Sequence, residues 1–123
     1  MIMFRKAIVS LAALAMMSLV PAGAQDTKPS SGVFKTSQQI RDLCVSDQVA
    51  NQDSCDYFIM AAHDMIKFFG DTDMIEGDIC LPVGIKAVEV REVVLAYWRA
   101  NPGNLKFSAV SSIHNALVEK YDC

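Results

Sequence analysis

Histidine is scarce in this chain: 123 residues hold only His63 and His114. The two fall on different predicted helices, and no oxyanion-forming glycine turn accompanies a cysteine, so a Cys–His hydrolase has no footing. No C-x-x-C pair occurs among the four cysteines, and their spacings match no common zinc pattern. A glycine-rich phosphate loop is missing, and so is strand-like alternation of useful length, which leaves an all-α domain. Asp56 and Asp64 share a helix but lie about 12 Å apart along its axis, too far to work as a close acid/base couple. Base is also in short supply, with 11 Lys and Arg against 14 Asp and Glu. That balance disfavours nucleic acid and anionic lipid as partners. No catalytic residue, cofactor or metal is expected; the sequence describes a surface, not a reaction.

What is present begins with an address. Arg5-Lys6 precedes an uncharged apolar run from Ala7 to Val20, and Ala22-Gly23-Ala24 follows Pro21 as a small-x-small cleavage signal. The run is shorter than the roughly 20 apolar residues a membrane span needs. Residues 1–24 are expected to be a signal peptide, and no cysteine follows directly to carry a lipid anchor. Its removal takes Arg5 and Lys6 away and leaves nine bases against fourteen acids, a net charge of −5. An acidic product of export suits a basic partner. Residues 25–35, with Pro29-Ser30-Ser31-Gly32, form an expected flexible leader to one domain, 36–123.

Four helices are expected there. Thr36-x-x-Gln39 fits a capping box, and Ile40, Leu43 and Cys44 stripe a short helix over 37–46. Asp47 to Asp53 reads as a turn. The second and longest helix, 52–69, has Cys55, Phe58, Ile59, Ala62, Met65, Ile66 and Phe69 on its core face, with Gly70 as its C′ residue. Tyr57, Ala61, Asp64 and Phe68 make a partial second stripe. The third helix, 86–100, is expected to bury Val90, Val93, Val94 and Tyr97 and to turn Glu89, Arg91, Glu92 and Arg99 outward. Asn101-Pro102-Gly103 stops it. The fourth, 106–121, carries Val110, Ile113, Leu117 and Tyr121, with Ala109 and Ala116 allowing close approach.

An even cysteine count in a small exported domain reads as disulfides. Helices joined by a short connection lie antiparallel, so the start of one sits beside the end of the next. Cys44 closes the first helix and Cys55 opens the second. Cys80 and Cys123 occupy the matching ends of the later hairpin. Cys44–Cys55 plus Cys80–Cys123 is thus the geometrically easiest of the three connectivities. The result is a four-to-five-helix, disulfide-stapled domain.

Residues 70–79 between the second and third helices carry four acids, Asp71, Asp73, Glu76 and Asp78, and no base. Counted from Asp71, a calcium loop would need an acid or amide at the fifth place and Gly at the sixth; Ile75 and Glu76 stand there. The plain reading is a solvated connector; the sharper one, favoured by the length of the loop in so compact a chain, is a projecting acidic loop that enters a partner's cleft.

The cysteine-framed pattern resembles the Rap/Tai immunity-protein family. The residues that carry it are Cys55-Asp56-Tyr57, Ala61-Ala62, Asp64, Cys80-x-Pro82, Val93-Val94, Tyr97, Asn101-Pro102, Ala109, Ala116-Leu117 and the final cysteine. The resemblance covers residues 40–123. Ala61 replaces a common Gly, Asn101 a common His, and Asp122 a common Pro; none of these touches the disulfide frame. It implies a periplasmic immunity protein, not an enzyme, that binds a peptidoglycan amidase delivered by type VI secretion and occludes its Cys–His cleft. Members are often dimeric, so a homodimer is a further expectation. Asp71, Asp73, Glu76 and Asp78 are the candidate partner-binding residues, their charge suited to a basic-rimmed cleft. The alternatives are a periplasmic acid-stress chaperone of the same helical class and an envelope adaptor.

Overall fold

The computed structural model describes residues 32–76 and 79–123. The expected signal peptide and most of the 25–35 leader lie outside the described residues. Among the described residues four α-helices run in order: α1 (Ser37–Cys44), α2 (Val49–Asp71), α3 (Ala87–Ala100) and α4 (Ala109–Tyr121), with a 3-10 turn at Pro102–Lys106 between the last two. The all-α expectation holds. Isolated backbone bridges pair Thr36 with Ser108 and Ile79 with Asp122. No helix among the described residues is long and apolar enough to cross a membrane.

The helix ends follow from local chemistry. At α1 the capping box forms: the Thr36 hydroxyl accepts from the Gln39 amide, and the Gln39 side chain accepts from the Thr36 amide at 3.0 Å. The polar stretch after α1 is half turn and half helix, because its side chains tie the first turn of α2 back to Ser46. Ser46 Oγ accepts from the Gln48 amide at 3.2 Å and from the Asn51 side chain at 2.9 Å. The Gln52 side chain donates to the Ser46 carbonyl at 2.7 Å. So α2 starts at Val49, earlier than the expected 52.

Both expected disulfides are present, Cys44–Cys55 with Cα atoms 5.1 Å apart and Cys80–Cys123 at 5.3 Å. The first sits inside the core, which also holds Ile40, Ile59, Ala62, Ile66, Val90, Val94, Leu95, Trp98, Ala109, Ile113, Ala116 and Leu117. Each large apolar side chain fully buried there contributes about 1.5–3 kcal/mol.

Two expected faces are corrected. On α3 the seam runs through Val90, Val94, Leu95 and Trp98, while Val93 and Tyr97 are half-buried. The rotation brings Trp98 inward, where a polar partner awaits it: its indole N–H donates to Ser112 Oγ at 2.8 Å. Ser112 Oγ lies 2.6 Å from Ser37 Oγ, and Ser37 also reaches the Phe107 and Ser108 carbonyls. A buried indole N–H needs such an acceptor. The trio ties α1, α3 and α4 at one point. On α4, Val110 is exposed and Ser112 buried, since the helix turns its hydroxyl inward. Arg91 is not outward either. Its guanidinium lies 3.3 Å from the Asp56 carboxylate, both side chains largely buried, and joins α3 to α2.

Candidate partner-binding surface

At 3.6 residues per turn, the buried residues of α2 (Cys55, Ile59, Ala62 and Ile66) leave Tyr57, Ala61, Asp64 and Phe68 directly opposite. All four are exposed, Tyr57 by 70% and Phe68 by 55%. Met60 and Met65 flank them and are exposed as well. Met65, expected in the core, lies at the edge of the buried stripe and so faces water instead. Phe69 is half-buried and makes an edge-on contact with Phe68, ring centroids 5.6 Å apart.

Gly70 does not end α2, which runs on to Asp71. The stop is built from the three residues after it. Thr72 Oγ1 donates to the Phe68 carbonyl at 2.9 Å and lies 3.2 Å from that of Phe69. The Asp73 amide donates to the Gly70 carbonyl at 3.0 Å and the Met74 amide to that of Phe69 at 2.9 Å. This is the paired bonding of a Schellman turn, with Asp73 as the left-handed C′ residue at φ +54°. Aspartate is one of the few non-glycine residues that visit that region.

The turn sets the acidic loop out from the end of the helix. Asp71, Asp73 and Glu76 are exposed there; Asp78 lies outside the described residues. Asp71 pairs with Lys67 at 2.9 Å, one turn back on α2. No basic residue occupies the last turn of the helix, so the acids add to the negative end of its dipole. Two apolar residues stand among them: Met74 is 64% and Ile75 36% exposed. Charge counting passes over this pair, and lack of any helical or strand period in so short a loop hides it. The surface is therefore mixed, an apolar tip with acids around it. That composition suits the core and rim of a protein interface.

Other chemistry-bearing groups do not converge. His63 Nδ1 lies 3.1 Å from its neighbour Asp64, and His114, on α4, has a buried Nε2 without a hydrogen-bond partner. All four cysteines are bonded, so none is a free thiol. Among the described residues no cluster of three His, Cys, Asp or Glu is placed to hold a metal ion. A groove of about 420 Å³ between α3 and α4 is lined by Ala96, Ala100 and Ala116 together with Glu92, Glu119 and Lys120.

Residues 36–123 match the family model of Rap1a immunity proteins. No curated protein and no solved structure gives a significant match.

Proposed function

The chain belongs to the Rap1a immunity protein family, and we propose that it binds an effector delivered by type VI secretion and holds it inactive in the periplasm. The observation that carries this reading is the family match, which spans all four helices and both disulfides. The two bridges suit an oxidising, secreted or periplasmic setting. In this reading residues 1–24 direct export and are removed, residues 25–35 are a leader, and 36–123 is the binding domain.

The finer proposal is a peptidoglycan amidase as the effector, inhibited by occlusion. The loop is the inserting element, its exposed Met74 and Ile75 entering the cleft while Asp71, Asp73, Glu76 and Asp78 meet a basic rim. Rim charges of this kind speed association and set specificity more than they add raw affinity. The outward stripe of α2 is our candidate seam for a homodimer. No cofactor enters this function.

The test is inhibition. Peptidoglycan hydrolysis by a purified type VI amidase is followed while the oxidised protein is added. Loss of activity in step with added protein, complete at a fixed ratio, is the expected result; full activity at large excess rejects the amidase. Replacing Asp71, Glu76 and Asp78 by Ser and Asp73 by Asn, which also tolerates the left-handed region, should weaken binding about tenfold or more without lowering the melting temperature. Unchanged affinity would remove the loop from the interface.

A further inference from the structure

The two disulfides lie in opposite surroundings. Cys44 and Cys55 are 5% and 0% exposed and belong to the core. Cys80 and Cys123 are both exposed. Thiol–disulfide exchange requires a thiolate to reach a bridge sulfur, so its rate follows access. A soluble dithiol meets Cys80–Cys123 on the native protein, but reaches Cys44–Cys55 only when α1 parts from α2.

The exposed bridge holds a local structure. α3 and α4 contribute Val90, Val94, Trp98, Ile113, Ala116 and Leu117 to one buried core shared with Ile40 of α1 and Ile59 of α2. The bridge fastens the far end of the acidic loop to the residues after α4. There the Cys80 amide donates to the Tyr121 carbonyl at 2.8 Å, and Ile79, 3% exposed, pairs with Asp122. The near end of the loop is fixed by the Thr72–Asp73 turn on α2. Between these anchors Asp73 to Glu76 is exposed.

We propose that Cys80–Cys123 is a thiol-exchangeable clasp. Closed, it fastens Cys80 to the chain end after α4; open, it leaves Ile79 and Cys80 held there by their backbone bonds to Asp122 and Tyr121, with no covalent link, while the helical bundle stays folded. Its consequence for partner binding rests on the loop being the contact proposed above; the clasp itself does not. The reductant is a dithiol of the thioredoxin-like class. One of its thiolates attacks a sulfur of the bridge, forms a mixed disulfide and expels the other cysteine as a thiolate, which takes up a proton. Its second thiolate then breaks the mixed disulfide and leaves as part of an oxidised dithiol. Two electrons pass to the protein, two cysteine thiols form, and Cys44–Cys55 is untouched.

Graded dithiothreitol, followed by an N-ethylmaleimide quench and peptide mass mapping of the oxidised protein, tests the order of opening. Cys80 and Cys123 should be labelled about tenfold faster or more than Cys44 and Cys55, as their access dictates. Helical circular dichroism should persist, and hydrogen exchange of the Cys80 amide, bonded to the Tyr121 carbonyl in the closed state, should rise about tenfold or more while α1 keeps its protection. Labelling of all four cysteines at one rate, or of Cys44 and Cys55 first, overturns the proposal. So does loss of the helical signal when only Cys80–Cys123 is open, because the bridge would then be holding the whole bundle. The double variant C80S/C123S gives the same readout without reductant, and full protection of the residue-80 amide in it also overturns the clasp. If the clasp opens as expected yet affinity for the amidase is unchanged, the clasp stands and the loop is not the contact.

Discussion

The two ends of α2 are built on different terms. At its first end the helix is held from three sides. Cys55 bridges to α1, Asp56 pairs with Arg91 of α3, and the Asn51 and Gln52 side chains bond Ser46. At its last end the turn is closed by the helix's own carbonyls, and Phe68, Met74 and the acids are left to water. Contacts that specify the fold are thus concentrated away from the loop, which leaves its chemistry free to suit a partner. Binding segments are commonly drawn from such sparsely packed regions.

That contrast can be broken by mutation. Trp98→Ala removes the largest fully buried side chain and should lower stability by about 3–5 kcal/mol, read from urea denaturation. Ser112→Ala strands the Trp98 indole N–H and should cost about 1–3 kcal/mol by the same measurement. Asp73→Val places a β-branched residue at positive φ and should cost about 1–2 kcal/mol, whereas Asp73→Gly should stay within about 0.5 kcal/mol of wild type. Lys67→Ala disrupts an exposed pair one turn long and should cost less than about 0.5 kcal/mol. If Asp73→Val proves as damaging as Trp98→Ala, the loop end of α2 is held as firmly as the core.

Much of this architecture can be read from residues alone, because periodicity and cysteine placement act over short distances. Cys44 and Cys55 flank one turn, so their pairing needs only the hairpin argument. The seam of α3 is harder. Val90 and Val94 mark it, but whether Tyr97 or Trp98 continues it depends on Ser112 of another helix, which no local pattern reveals. The inward turn of Arg91 is hidden for the same reason, since its partner Asp56 is on α2. Gly70 is the residue a helix stop ordinarily uses, yet the Thr72 hydroxyl and the left-handed Asp73 carry the chain past it. In the loop, acidity is visible as composition, and the structure brings Asp71, Asp73 and Glu76 onto one exposed stretch. The exposure of Met74 and Ile75 among them needs the fold, because only tertiary packing decides whether an isolated apolar pair is covered.

The two disulfides join cysteines that are consecutive in the chain: the first with the second, the third with the fourth. A polypeptide threaded into an oxidising compartment from its N-terminus presents Cys44 and Cys55 before Cys80 and Cys123. Pairing in order of appearance is then native pairing. A chain that pairs in that order forms no wrong partners for an isomerase to exchange, and avoids the seconds-to-hours phase that reshuffling adds to maturation.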